Sequence, residues 1–115
     1  MIKLFATVLI ILPGVVQSKE TLSRQDKMDL CATASLVFGK MAEARQNGAS
    51  AIDLMNAANK IEPEEGNPAR EVLREVMQVA IIDVFEDPLL STDEKKRKYV
   101  TEKQNEAYIE CVKHI

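Results

Sequence analysis

The chain has 115 residues, enough for one domain and no more. Its 15 basic and 18 acidic residues give a formal net charge of −3, which argues against a polycationic surface built for nucleic acid. One histidine and two cysteines fall short of the clustered ligands of a zinc site.

The first residues have the order of a secretory signal. Lys3 is the only charge before Lys19, Leu4 to Leu12 is almost wholly apolar, Pro13-Gly14 follows, and Val16-Gln17-Ser18 ends on a small residue. The apolar run is short against the roughly 20 residues of a membrane span. Residues 1–18 therefore read as a signal peptide cleaved after Ser18, with an uncleaved N-terminal anchor as the alternative. Residues 19–115 read as a single helical domain. Loss of Lys3 takes the formal charge from −3 to −4.

Strand signals are almost absent, and the rest of the chain reads as four helices. The first is expected from about Arg24 to Asn47, with Ser23 and Asp26 as a capping box and Gly48 as the C-terminal cap. Its apolar face holds Met28, Cys31, Ala34, Val37, Phe38, Met41 and Ala42. Gly39, unfavourable inside a helix by about 1 kcal/mol, suggests a helix passing close by. The second helix, from about Ala51 to Ile61, is short. Ser50 and Asp53 start it, Ile52, Leu54, Met55 and Ala58 are expected to dock, and Pro63 stops it. Pro68, behind an Asn67 cap, opens the third. It runs to about Glu86, is the most apolar of the four and is expected to be central; Pro88 ends it. The fourth is expected to follow a Ser91–Glu94 capping box and to reach about Lys113. Val100, Ala107, Tyr108, Cys111 and Val112 form its inner stripe, and its charged first half is expected to fray or sit in solvent. The fold class is all-α: a four-helix bundle-like domain with one short helix.

An even cysteine count in a small exported protein reads as a disulfide. In an up-down-up-down bundle, the start of the first helix and the end of the fourth share one end. Cys31 and Cys111 can then face each other, and the domain is closed by this single disulfide. A bridge between subunits is the competing reading; a monomer is favoured over a disulfide-linked dimer.

No pattern for catalysis emerges. Cys111 and His114 lie on one helical face, but a thiolate–imidazole nucleophile lacks a third member and its cysteine is used by the bridge. The carboxylates Glu62, Glu64 and Glu65, and Asp83, Glu86 and Asp87, fall at helix ends and loops and lack the alternating oxygens of a calcium loop. The expectation is a non-enzyme with no cofactor and no metal.

Three features bear on partners. Leu36 lies on a wet stripe between Thr33 and Lys40, and Ile82 continues the stripe of Glu71, Glu75 and Gln78. Either another helix covers each, or they join Leu89 and Leu90 in a partner-binding surface. Lys95, Lys96, Arg97 and Lys98 form a basic run that reads first as a solvated helix face and second as a contact for anionic lipid. Met28, Met41, Met55 and Met77 read as core filler rather than a copper site.

Cys31, Ala44-Arg45-Gln46-Asn47-Gly48, Phe85-Glu86-Asp87-Pro88 and Tyr108-Ile109-Glu110-Cys111 together span about 80 residues. In these pieces the chain resembles a family of small exported bacterial and phage helical proteins with two cysteines. Phe85 stands where that family usually has tyrosine. The resemblance implies a helical, disulfide-closed envelope protein and no activity. The expected function is a protein-binding module of the bacterial periplasm, or a secreted one, that inhibits or regulates another envelope protein. A periplasmic acid-stress chaperone is the alternative, and an enzyme a distant third.

Overall fold

The computed structural model describes residues 23–62 and 64–114. The expected signal peptide and the expected stop at Pro63 lie outside these residues. Four helices account for most of what is described: α1 (Arg24–Gln46), α2 (Ala51–Asn59), α3 (Pro68–Phe85) and α4 (Asp93–Lys113). No strand occurs among the described residues; a lone bridge, Glu64 to Asn67, closes the turn before α3 around Gly66 at φ +80°.

The helix ends follow from local chemistry. At α1 both halves of the capping box form: Asp26 N–H donates to Ser23 Oγ, and Ser23 N–H donates to the Asp26 carboxylate. Its other end is a Schellman turn. Ala49 N–H donates to Ala44 O and Gly48 N–H to Arg45 O, with Gly48 at φ +92°, where a Cβ would be strained. Ser50 accepts the Asp53 N–H to start α2. Pro68 does open α3, but the Asn67 side chain makes no capping bond. The start of α4 differs from expectation: Thr92, not Ser91, is the cap, accepting the Lys95 N–H. Its charged first turns are helical and exposed.

α1 and α3 share the centre, each lying between two other helices. α1 packs most extensively on α4, antiparallel, since its start is bridged to the end of α4 and Gln46 at its end meets Leu90 just before α4. It also packs on α3, parallel, with start beside start and Arg45 over Phe85 at the far ends. The short α2 packs on α3, while α3 and α4 share little direct packing. α3, the most apolar helix, lies between α1 and α2, and its apolar surface serves both. Val72, Val76, Val79 and Ala80 enter the main cluster with Cys31, Ala34, Phe38, Ala107 and Cys111. Ile81 and Val84 are buried outside it. On α2, Ala58 is buried but Ile52 is 73 % exposed. Ile52 precedes Leu54 by two positions, and at about 100° per residue that turns it to the opposite side.

The seam between α1 and α4 is built from small side chains. Cys31 and Cys111 are fully buried and bridged, with Cα atoms 5.4 Å apart. Ser35 Oγ donates to the backbone carbonyl of Gln104 at 3.0 Å, which needs the two backbones close together. Gly39 provides that approach: a Cβ there would come within 2.6 Å of Gln104 Cγ. Gly39→Ala is therefore expected to lower stability by about 1 kcal/mol, because overpacking of about 1–3 kcal/mol exceeds the roughly 1 kcal/mol gained in helix propensity. A urea midpoint that stays put or rises would show that Gln104 simply swings away.

Candidate functional site

Two places concentrate unusual chemistry: a buried ionic clasp and an apolar cleft. The clasp forms where the α3–α4 turn meets α1 and α4. Lys103, on α4, has a side chain only 8 % exposed and is held by Asp83 of α3 at 3.1 Å and by Asp87 of the turn at 3.0 Å. Asp87 also accepts a hydrogen bond from the Tyr99 hydroxyl at 2.7 Å. The Lys103 ammonium stands 5.6 Å from the centre of the Tyr99 ring. From α1, the Arg45 guanidinium donates twice to the Asp87 carbonyl and lies over the Phe85 ring at 4.8 Å. Gln46, buried, donates to Pro88 O and accepts the Leu90 N–H. The turn is thus fixed by side chains from two helices.

The environment shifts three of these groups. Burial pushes the Asp87 carboxyl up, but the Tyr99 hydroxyl and the Lys103 ammonium outweigh it and hold the acid below its usual range. Burial disfavours the charged Lys103, and the two carboxylates more than offset this, so its pKa is raised. Tyr99 is raised by burial and by its bond to Asp87. One oxygen of Asp83, Oδ1, is buried with no hydrogen-bond partner. Every strong interaction here is internal, which suits a structural role.

Sequence reading missed this clasp. It placed Asp83 and Asp87 among ordinary helix-end acids and passed over Lys103. The signal was present in spacing: Lys103, Ala107 and Cys111 recur every four residues, and all three are buried. Gln46 likewise stands four residues after buried Ala42.

The cleft lies between the first halves of α1 and α3 and encloses about 430 Å³. Leu30, Ala34 and Val37 form one wall, and Val72, Leu73 and Val76 the other. Asp26, Asp29 and Thr33 stand along the α1 side, and Pro68 and Ala69 at the α3 side. No expectation from the sequence located it, because a gap depends on how closely two helices approach.

The remaining candidates are dispersed. Leu36 is 61 % and Ile82 48 % exposed, so the reading that another helix of this chain covers them fails. Each lies on a polar stripe turned away from the helices its own helix packs against. Leu89 is exposed at 54 %, whereas Leu90 is half-buried with its N–H held by Gln46. Ile109 is 54 % exposed on α4. Of the basic run, Lys95, Arg97 and Lys98 are exposed. Lys96 and Arg97 share a depression with Glu43 and Asp93, so the run does not make one basic stripe. His114 contacts Glu110 at 3.0 Å, and Cys111 is committed to the bridge. Among the described residues no helix is long and apolar enough to cross a membrane, and no group of three metal-ligand side chains assembles.

Comparison of the chain with known protein families, with curated proteins and with solved structures finds no match. Of the residues quoted for the family resemblance, Arg45, Gln46, Phe85, Asp87 and Pro88 meet at the clasp, while Cys31, Tyr108 and Cys111 lie at the bridge.

Proposed function

We propose that this is a small exported envelope protein that acts by binding another protein, as an inhibitor or regulator, and not by catalysis. Its kinship would lie with the small two-cysteine bacterial and phage proteins it resembles. The observation that carries this reading is the apolar cleft of about 430 Å³ on a body held rigid by a disulfide and a buried ionic clasp. A hydrophobic groove on a folded domain is one of the recurring surfaces that take a segment of a partner protein. The strongest titratable cluster faces inward, where a substrate would have to displace Asp83 or Asp87 from Lys103.

Export is tested by the intact mass of the protein expressed with its own leader. A chain beginning at Lys19 and about 2 Da lighter before reduction supports export and an internal bridge, since a disulfide forms with the loss of two hydrogens. A full-length reduced chain counts against it. Binding is tested by cross-linking in an envelope extract. A single protein recovered in stoichiometric yield supports the module; recovery of only abundant background proteins, repeated at several cross-linker lengths, counts against it.

The clasp favours a second reading, an acid-stress chaperone that opens at low pH. Protonation of Asp87 would take from the buried Lys103 one of the two carboxylates that hold it most closely, at a place where α3 and α4 have little other contact. Binding of an apolar dye at pH 2 but not at pH 7 is its expected result. A protein that stays folded and dye-free at pH 2 removes it.

A further inference from the structure

We infer that the cleft between α1 and α3 is the docking site for an amphipathic helix of the partner, one with an apolar face flanked by lysine or arginine. The inference rests on the binding-module reading and names the chemistry of what is bound.

Length comes first. On α1 the cleft reaches from Asp26 to Val37, about 16 Å at 1.5 Å per residue. That is about three helical turns, the span over which a docked helix places anchors at i, i+3 or i+4, and i+7. The floor comes next. Leu30, Val37 and Leu73 are only half-buried, so the apolar area they still expose is available to an incoming aliphatic face.

Charge then chooses the partner. Asp26 and Asp29 are exposed at the edge, and no Lys or Arg among the described residues forms an ion pair with either. Their partners are neutral donors, the Ser23 N–H and the Gln25 amide. An acidic helix or an anionic lipid surface would meet like charge at this edge. A basic helix meets two carboxylates whose remaining oxygens have no hydrogen-bond partner among the described residues and can accept charge-assisted hydrogen bonds.

The test uses the purified protein as expressed with its own leader and two synthetic helical peptides. Both carry leucine at i, i+3, i+4 and i+7; the other positions are lysine in one and glutamate in the second. The Leu/Lys peptide is expected to bind at least tenfold more tightly than the Leu/Glu peptide. Asp29→Lys should shrink that preference to threefold or less, and Val37→Glu should weaken the Leu/Lys peptide at least tenfold. Glu43→Lys, the same charge change on an exposed site at the far end of α1, should leave the preference intact. Helical content and urea midpoints of the variants are measured alongside, so that loss of fold is not mistaken for loss of binding. A photo-reactive residue in place of Ala69 should join to the Leu/Lys peptide.

Equal binding of both peptides, binding of neither, or equal effects of Asp29→Lys and Glu43→Lys would overturn the inference. So would a photo-cross-link, in the presence of peptide, to the chain's own residues before Ser23 or to a second copy of the chain. If the peptide fails while envelope cross-linking still recovers a stoichiometric partner, the cleft is not the site and the binding-module reading stands. If both fail, both readings fall.

Discussion

Replacing both Cys31 and Cys111 with alanine is expected to lower stability by about 4 kcal/mol, the largest single effect in the molecule. The bridge spans a sequence separation of 80 residues, and closing a loop of that length removes about 4–5 kcal/mol of entropy from the unfolded chain. A small domain has a total of only about 5–15 kcal/mol to lose. Packing adds to the loss, because both sulfurs lie in the main apolar cluster with no exposure, beside Tyr108 and Val112. The bridge also joins the second turn of α1 to the last turn of α4. Without it α4 remains attached at Ser35 and Gly39 and the turn before it at Gln46, so the helices should still form but melt earlier. Urea denaturation of the double variant, compared with the oxidised wild-type chain, checks this, and the reduced wild-type chain separates loss of the bridge from loss of the two sulfurs. A loss below about 1 kcal/mol would mean that the α1–α4 seam is self-sufficient and the bridge a late addition.

How much of this was legible in the sequence depended on the range of the interaction. Where a feature is decided within one turn, it could be read: the Ser23–Asp26 box, the Gly48 turn and Pro68 at the head of α3 all occur as expected. Gly39 was legible because an unfavourable residue inside a helix needs a reason, and Gln104 is that reason. The disulfide followed from combining an even cysteine count with bundle topology. The cap of α4 was misplaced by one residue because Ser91 and Thr92 are chemically alike, and only the chain's exit from the Gln46-clamped turn separates them.

The clasp was less legible for a physical reason. A lysine between Glu102 and Gln104 looks solvated unless its counter-charges are known, and Asp83 lies 20 residues away on another helix. Charged residues are almost never fully buried unless paired, so periodicity alone assigns them to the wet face. The four-residue recurrence of Lys103, Ala107 and Cys111 was the usable clue. Leu36 and Ile82 mislead in the opposite direction, since an apolar residue at the surface is common and carries little information by itself. The cleft lay beyond reach, because it is set by the separation of α1 and α3.

Lys103→Met is expected to cost about 3 kcal/mol, because removing one partner of a buried ion pair leaves the other charge uncompensated. Asp83 would be that charge: its side chain is 4 % exposed, and Oδ1 already lacks a hydrogen-bond partner. The double variant Asp83→Leu/Lys103→Met should recover most of the loss, since apolar side chains of similar volume often replace a buried pair without penalty. Failure of the double variant to recover would show that Asp87 and Tyr99 need the ammonium for position as well as charge.

The pH dependence has a sign at each end. Asp87 is held below the ordinary carboxylate value of about 3.9, so its contribution is full above that value and is lost as pH falls through the folded pKa. Lys103 is raised above the ordinary value of about 10.4, so its contribution is full below that value and is lost as pH rises through the folded pKa. Urea midpoints measured from pH 2 to 11 should therefore fall at both ends in the wild-type chain. In Lys103→Met the alkaline fall due to this group should vanish, and the acid fall should shrink because Asp87 has lost a cation that depresses it. A wild-type chain with a flat acid limb would show that the clasp does not sense acid. The chaperone reading would then lose the one observation that favours it, while the disulfide-closed scaffold and its cleft would be untouched.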